Sequence, residues 1–387
     1  MIRMLNAITG QIDDPDAAAS EILEQLDPAR NLLANSIGLL ACNYEFIDVG
    51  ALEALEKALP FEIAGVTTLG SAVKGLYGQD YLSLSVLTSD DVRFSSAVTG
   101  EVTKENLEQE LGGAFKQAKD TLGNSPCFIL AYAPIMDKLS VYDFFTEIKK
   151  LSGDTPVFGS FSCDQTLQFR ESQVIHNGRA YRESLAFVLM EGGVHPRFFV
   201  TAIPERNIRK ERGTITESDG VILKKVNNMP LADYLGSLGF AKDGVVEKIR
   251  ASIPFMIDYN DGGKPVAMAT YEMTAEGYAR CAANVPVDAT LAIGALDYES
   301  IMETAETTVS HLLECKDING ILMHPCLSRS VLLGLNGADE MKKVTGLLGN
   351  RVPYQFCYAG GEICPTESEE GKLVNHMHNF SFIACVL

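Results

Sequence analysis

The feature that most constrains this fold is a pattern of strands and helices that occurs three times along the chain. Short apolar runs typical of buried strands lie at residues 35–42, 125–132 and 318–324. Each run is followed by an amphipathic helix, and each helix ends near a proline that opens another strand, namely Pro60, Pro156 and Pro353. A polar, glycine-rich excursion then closes on a strand at residues 82–87, 184–189 and 380–385.

The pattern also extends upstream of the second and third copies. A strand and an amphipathic helix precede each of these two copies, the strands lying at residues 92–97 and 289–293. The predicted module is therefore strand, helix, strand, helix, strand, excursion, strand, and its copies begin near Arg3, Val92 and Ala289. Such alternation predicts an α/β protein with mixed β-sheets flanked by helices.

Two helix starts are predicted from local capping chemistry. Asp48 stands before the apolar face of the first such helix, and Ser140 with Asp143 forms a capping-box pattern before the second.

A chain of 387 residues is longer than one hydrophobic core usually supports, so two domains are expected. Residues 197–287 separate the second and third copies and differ from them in character, with a basic stretch at 206–212 and a Gly-rich turn that begins at Asp261. We place the boundary near Gly193. The predicted domains are 1–192, which holds two module copies, and 193–387, which holds the insert and one copy.

Composition restricts the partners and the compartment. A net charge of -19 repels nucleic acid backbones and anionic lipid surfaces, so neither is expected as a partner. No apolar run approaches the roughly 18 to 20 residues of a spanning helix, and the N-terminus lacks the apolar core of a secretion signal, which predicts a cytoplasmic protein. Nine cysteines at uneven spacing predict reduced thiols.

The densest chemistry lies near the C-terminus. Cys326 follows an apolar strand and Arg329 comes three residues later, Tyr358 leads into the sequence Gly361-Glu362-Ile363, and His378-Asn379 precedes the final strand. This order resembles the C-terminal half of the FIST domain family. Residues 65–70, 158–159 and 176–178 resemble the N-terminal half of the same family, so the resemblance spans nearly the whole chain.

This resemblance implies a sensory module for signal transduction that binds a small ligand. Amino acids or related metabolites are the implied ligands, haem is implied for some members, and a separate signalling protein is the expected partner. The chain departs from the family pattern between Tyr358 and Glu362, where Ala-Gly-Gly replaces a second tyrosine, and at Phe380-Ser381, which predicts a smaller and more open pocket. Lys264 follows the Gly-rich turn where the family commonly has an arginine.

Each of these residues has a ligand-binding interpretation and a structural one. Cys326 lies at a strand end, where α/β sheets present functional groups, and Arg329 could lower the pKa of its thiol. Free cysteine is also among the most buried residue types. Glu362 could hold an ammonium group, or it could be a solvated turn acid. His378 and Asn379 could bind a carboxylate or amide, or satisfy backbone groups.

Three other chemistries remain open at this stage. A thiol-dependent enzyme could use Cys326 with His378 and either Asn379 or Glu362. A metal could bind among a set of cysteines and histidines that lacks Cys-x-x-Cys spacing, namely Cys326, Cys357, Cys364, His376 and His378. A haem would take His324, His376 or His378 as its axial ligand.

The sequence favours a non-enzymatic sensor over these alternatives and over a pure interaction scaffold. Its predicted ligand-binding residues are Cys326, Arg329, Tyr358, Glu362, His378 and Asn379.

Overall fold

The computed structural model describes residues 1–136, 138–240, 253–368 and 370–387. Module I comprises β1 (Arg3–Thr9), α1 (Pro15–Leu26), α2 (Pro28–Asn31), β2 (Asn35–Cys42), α3 (Glu45–Asp48), α4 (Ala51–Ala58), β3 (Glu62–Thr67), β4 (Ser71–Val73), β5 (Leu76–Gly78) and β6 (Leu82–Ser89). Module II comprises β7 (Arg93–Val98), α5 (Leu107–Leu122), β8 (Phe128–Ala133), α6 (Val141–Ser152), β9 (Val157–Phe161), β10 (Val174–His176), β11 (Arg179–Tyr181) and β12 (Ala186–Glu191).

The remaining elements belong to an insert and to module III. The insert comprises β14 (Gly213–Asp219), β15 (Ile222–Val226), β16 (Met229–Pro230), α7 (Leu231–Ser237), β17 (Phe255–Asp258), β18 (Val266–Met268), β19 (Thr270–Met273), β20 (Ala279–Cys281) and β21 (Thr290–Ile293). Module III comprises β13 (Arg197–Thr201), α8 (Tyr298–Glu314), β22 (Ile321–Pro325), α9 (Leu327–Leu333), α10 (Asp339–Leu348), β23 (Tyr354–Cys357), β24 (Gly361–Glu367), β25 (Leu373–His378) and β26 (Phe382–Val386).

The described residues form four sheets, and three of them contain the same order of four strands. The orders are β1-β6-β2-β3, β7-β12-β8-β9 and β13-β26-β22-β23. In each sheet the last two strands are parallel and the other neighbours are antiparallel. Helices flank these sheets, so the predicted class of mixed α/β sheets with flanking helices is confirmed.

Each of these sheets is completed by a hairpin from another module. The hairpin β4–β5 of module I pairs with β23 of module III, and β10–β11 of module II pairs with β3 of module I. The hairpin β24–β25 of module III pairs with β9 of module II. The three exchanges close a ring, and the excursions predicted from glycine-rich sequence are the hairpins that make it.

The first strand of module III is not the one predicted. The sequence favours residues 289–293 for this position because they are apolar and precede a helix, but β21 pairs with β14 and β17 in the fourth sheet. Strand β13 instead lies beside β26, as β1 lies beside β6 and β7 beside β12. The insert therefore lies inside module III, between β13 and α8.

The helix starts follow local capping chemistry in one predicted case and not in the other. The side chain of Ser140 accepts a hydrogen bond from the N–H of Asp143 and the Asp143 carboxylate accepts one from the N–H of Ser140, so the predicted capping box is confirmed. The predicted cap at Asp48 is wrong, because this residue ends α3. Gly50 starts α4 instead, since its φ of 89° makes the sharp change of direction that glycine favours.

The inner faces of the three sheets share one apolar core. Equivalent leucines from the three modules, Leu39, Leu130 and Leu322, are buried in the same cluster. The helices cover the outer faces of the sheets and form further clusters. All nine cysteines are free thiols. Within the described residues, no helix has both the length and the apolar character needed to cross a membrane.

Candidate functional site

The six predicted site residues come together where strands of modules II and III end. Cys326 follows β22, and its N–H donates to the carbonyl of Ser381. The next N–H, that of Leu327, donates to Ala359 in the turn that leads from β23 into β24. All six residues are buried, with at most 4% of any of them exposed. The fold brings these residues together, but their burial exceeds what a surface pocket would give.

Arg329 and Tyr358 belong to a closed polar network with Glu340. Nε of Arg329 donates to Oε1 of Glu340 at 2.8 Å, and Nη2 lies 2.6 Å from the same oxygen. Other N–H groups of Arg329 donate to the carbonyls of Phe380 and Ile301 and to the Thr304 hydroxyl. The Tyr358 hydroxyl donates to Oε2 of Glu340 at 3.2 Å. These groups are already used inside the protein.

Asn379 connects the site to the insert. Its N–H donates to the carbonyl of Ala267, and its side-chain oxygen accepts a hydrogen bond from the N–H of Ala269 at 3.0 Å. The two bonds attach the end of β25 to the β18–β19 region. Asn379 therefore fixes the position of His378, its neighbour in the chain.

Three residues on adjacent strands form a buried polar row. Glu362 on β24 lies opposite Ser160 on β9 and opposite His378 on β25. Both carboxyl oxygens of Glu362, the hydroxyl of Ser160 and Nδ1 of His378 are buried without a hydrogen bond of good geometry, although the Cys326 thiol and the Ser381 N–H lie close to the Glu362 carboxyl. We call Ser160, Glu362 and His378 the polar row.

Burial decides the protonation of the polar row and of Cys326. It raises the pKa of Glu362 well above its usual range, although the nearby Cys326 thiol and Ser381 N–H act in the opposite direction. Burial, and next the charge of Glu362, raises the pKa of Cys326. The prediction that Arg329 lowers this thiol pKa is wrong, because Glu340 neutralises the guanidinium and Glu362 faces the thiol.

His378 is also neutral. Burial lowers its pKa to about 3, although its Nε2 lies 2.9 Å from the carbonyl of Cys364. The polar row and the thiol therefore present uncharged groups at neutral pH. This arrangement can exchange neutral hydrogen bonds with a partner, but it offers no unpaired ion.

Several residues of this region were missed by sequence reasoning. Ser160 comes from module II, Glu340 from a helix whose pattern indicated only packing, and Tyr271 from the insert. Tyr271 as a whole is 57% exposed, so it lies on the solvent side of the site. Its hydroxyl is nevertheless buried, and this burial, with the nearby Cys326 and Glu362, raises the pKa of Tyr271 to about 12. The only sequence signal for Ser160 was its place beside the Phe158-Gly159 motif.

The turn that departs from the family pattern is closed rather than open. A Cβ atom on Gly360 would lie 2.5 Å from Cδ1 of Ile135 and 2.8 Å from the carbonyl oxygen of Ser162. Module II therefore occupies the space that a larger side chain at position 360 would need. The prediction of a more open pocket is wrong at this position.

The histidines and cysteines do not fit a haem or a metal cluster. His324 packs against Phe158 with ring centroids 4.8 Å apart, and His378 is engaged with Cys364. His376 lines a cavity of about 170 Å³, smaller than the about 300 to 1,000 Å³ of typical cofactor sites. In the described part of the chain, no three His, Cys, Asp or Glu residues are grouped to hold a metal ion.

Comparison with known proteins identifies the family. The model of the FIST N domain matches residues 36–229, and the model of the FIST C domain matches residues 231–365. Among solved structures, the cyanuric acid hydrolase from A. caulinodans aligns with a TM-score of 0.37 at 9% identity, covering 100% of this chain and 98% of that one. A second cyanuric acid hydrolase structure gives 0.32 at 11% identity, with coverage of 100% and 98%.

These TM-scores and sequence identities are too low to support an argument about function. Comparison with curated proteins gives no match. FIST domains are in general sensory domains of signal-transduction proteins. The two family models together cover most of the chain, from residue 36 to residue 365. This chain belongs to the FIST domain family.

Proposed function

We propose that this protein is a non-enzymatic cytoplasmic sensor that binds a small, uncharged polar metabolite at the polar row and Cys326. The observation that supports the proposal most directly is the set of four unpartnered polar atoms on Ser160, Glu362 and His378. Such atoms are rare in protein interiors, because a buried polar group without a hydrogen bond costs about 1 to 3 kcal/mol. A ligand that bonds to several of them removes that penalty.

The charges around the row restrict the ligand. Glu362 in its protonated form both donates and accepts, neutral His378 offers Nδ1, and Ser160 offers a hydroxyl. A ligand carboxylate would have no cation to pair with, because Arg329 is already paired with Glu340. The ligand that fits is therefore a small amide-bearing or hydroxyl-bearing molecule without a charge, which differs from the zwitterionic amino acids that the family resemblance implied.

Arg329, Tyr358 and Asn379 contribute by positioning the site in this proposal. Arg329 and Tyr358 hold α9 and α10 against the turn after β23, and Asn379 holds the end of β25 against the insert. A ligand on the row contacts β24 and β25, so it acts on the attachment of Asn379 to the insert. We expect a separate signalling protein to detect the bound state where Asn379 is attached to the insert.

A thermal-shift screen with a matched serine variant tests the proposal. Small amides, ureas, alcohols and free amino acids are screened, and a ligand at 100 times its Kd stabilises the folded state by about 2.7 kcal/mol. Ser160→Ala should raise the Kd of the ligand by about tenfold, the effect of one lost hydrogen bond. Ser95→Ala removes another buried, unpartnered hydroxyl outside the row and should leave the response unchanged.

Two outcomes would contradict the proposal. The first is a screen in which no small polar molecule raises the melting temperature. The second is a ligand whose affinity falls equally in Ser160→Ala and Ser95→Ala, since such a ligand binds elsewhere.

A further inference from the structure

A cavity lies between module I and module III, and none of its lining residues belongs to the polar row. Its walls come from β1, from the ends of α1 and α2, from the turn between β4 and β5, and from the segment between α10 and β23. Its volume is about 590 Å³, within the about 300 to 1,000 Å³ of typical small-molecule sites. We call it the I–III cavity.

The charge of the I–III cavity is opposite to that of the whole protein. In the described part of the chain, its lining includes Lys74 and Arg351 but neither aspartate nor glutamate. The net charge of -19 does not cancel this local charge, because salt screens exposed charges that are more than about 10 Å apart. The cavity can therefore attract an anion.

Neither cation has an acidic partner among the described residues. Partial burial lowers the pKa of Lys74, and no carboxylate opposes this effect. Nε of Arg351 donates to the carbonyl of Leu348, the last residue of α10, at 3.3 Å. This bond orients the guanidinium and leaves its two terminal nitrogens available. An anion that reaches both side chains supplies the partner that each lacks.

The backbone position of Lys74 is unusual for a lysine. This residue opens the two-residue turn between β4 and β5, and its φ of 50° is left-handed, a conformation that favours glycine and asparagine. The equivalent hairpin β10–β11 has Asn177 at this place, with a φ of 55°. The N–H of Gly75 donates to the Tyr354 hydroxyl at 3.1 Å, which holds the turn against the cavity wall. The fold thus keeps a lysine at the rim where the backbone alone favours asparagine.

The positive charge is not a consequence of the ring architecture. The equivalent place between modules II and I also has a cavity, of about 710 Å³, formed by β7, the end of α5 and the segment before β3. Among the described residues, its lining includes Glu56 and Glu62 but neither lysine nor arginine. The ring therefore provides the space at both places, and the sequence gives the two cavities opposite charges.

The inner surface of the I–III cavity is mainly apolar. Met4, Leu26 and the ring of Tyr354 are buried there, with at most 4% of each exposed. Lys74 and Arg351 are exposed, so the charges lie at the rim. This arrangement suits a molecule with an anionic head and an apolar body.

We propose that the I–III cavity binds a small phosphate ester with an apolar body. The phosphate pairs with Lys74 and Arg351 at the rim, and the body covers the apolar inner surface. A phosphate monoester carries about -1.5 to -2 charges near pH 7 and three acceptor oxygens, so it matches two cations better than a carboxylate does. Because one cation belongs to module I and the other to module III, the ligand links these two modules.

Titration calorimetry on the full chain with phenyl phosphate, inorganic phosphate, benzoate and phenol tests this site. Phenyl phosphate should bind about tenfold tighter than benzoate, which has about one charge fewer. It should also bind about tenfold tighter than inorganic phosphate, which has no apolar body to bury. Phenol, which has no charge at neutral pH, should bind most weakly of the four.

Matched variants test whether phenyl phosphate binds in this cavity. Lys74→Asn and Arg351→Gln should each weaken binding by about tenfold, because each removes one charge-assisted contact. Lys104→Asn makes the same change at an exposed lysine outside the cavity lining and should leave binding unchanged. Lys74→Asn should melt at or above the temperature of the wild type, because asparagine suits this backbone conformation better, so its loss of binding cannot come from unfolding.

The proposal does not rest on the polar row, and Ser160→Ala should leave the binding of phenyl phosphate unchanged. It is overturned if phenyl phosphate does not bind, or if benzoate or phenol binds as tightly. It is also overturned if Lys74→Asn and Lys104→Asn have the same effect, since the anion then binds elsewhere.

Discussion

At the scale of single residues, Glu362 is a carboxyl group that the fold keeps in its acid form. Its folded pKa lies well above the 4.5 of an exposed glutamate because the side chain is fully buried. Above pH 4.5 the unfolded chain releases this proton and the folded chain retains it. The contribution of this residue to the free energy of unfolding is therefore fully present below pH 4.5 and is lost as the pH rises towards the folded pKa.

Replacing Glu362 with glutamine removes this pH dependence, because glutamine resembles the protonated acid. The wild type should lose about 1.4 kcal/mol of unfolding free energy per pH unit between pH 4.5 and the folded pKa, and Glu362→Gln should not lose it. The difference between the two proteins therefore shifts in favour of the variant by this amount per pH unit. Urea denaturation at pH 5, 6, 7 and 8 measures the difference. Glu367→Gln, an exposed acid on the same strand, is the control. A difference that stays constant with pH for Glu362→Gln would show that the carboxyl is ionised when folded.

Cys326 makes a second prediction at this scale, and it bears on the thiol-enzyme alternative. A thiolate is the reactive form, and burial with Glu362 opposes its formation. A short iodoacetamide pulse at pH 7.5 should therefore modify the partly exposed Cys127 and Cys315 before Cys326. Peptide mass spectrometry identifies the order, and the same pulse in urea should equalise the three. Fastest labelling at Cys326 in the folded protein would favour the enzyme.

At the scale of elements, the ion pair between Arg329 of α9 and Glu340 of α10 links these two helices, and the hydrogen bonds of Arg329 to Ile301 and Thr304 link them to α8. Arg329→Met leaves the Glu340 carboxylate buried without its partner, a loss that typically costs about 3 to 5 kcal/mol. The double variant Arg329→Met/Glu340→Met should recover part of that loss, because it leaves no unpaired charge. Chemical denaturation measures the free energy of unfolding of the wild type, the single variant and the double variant. Arg206→Met removes an exposed pair with Glu303 and should change stability little. An equal loss in the single and double variants would contradict this account.

The same elements indicate how far the sequence could predict the fold and the site. The strand before Cys326, the capping box at Ser140 and the glycine-rich hairpins follow from local patterns, and all are present. Residues 289–293 had the correct local pattern for a strand but joined another sheet, because apolar spacing does not specify a strand's neighbours. Strand β13 was overlooked because it is only partly buried.

The site shows the same division between local and long-range information. The order of the motifs from Cys326 to Asn379, with those of the N-terminal half, was enough to identify the family. The sequence did not reveal that Glu340 neutralises Arg329, because a helix pattern does not show which of its acids turns inward. Nor did it reveal that Ser160, about two hundred residues away from Glu362 in the chain, lies opposite it.

At the scale of the whole molecule, the exchanged hairpins make the three modules depend on one another. Each sheet contains a hairpin from another module, and the turns that follow β3, β9 and β23 meet at the centre of the ring. There the Thr68 hydroxyl donates to the carbonyl of Tyr358 at 2.7 Å, and the Cys163 thiol donates to the same oxygen at 3.3 Å. One carbonyl thus accepts hydrogen bonds from both other modules.

This ring predicts that residues 1–192 do not fold stably alone. The fragment keeps β10–β11 on β3, but β9 loses β24 and β4 loses β23. The shared core also loses Leu322 and Ile383, and covering each such side chain contributes about 1.5 to 3 kcal/mol. Domains of this size have about 5 to 15 kcal/mol of stability in total, so these losses remove much of it.

Circular dichroism of the purified fragment during heating measures this directly. We expect no cooperative transition for 1–192 alone, and a cooperative transition when it is co-expressed with 193–387, because the second fragment restores β23, β24 and the missing part of the core. Co-purification of the two fragments is the control that the second piece has bound. A fragment 1–192 that unfolds cooperatively near the melting temperature of the full chain would mean that the boundary near Gly193 separates two independent domains, and that the ring contributes little to stability.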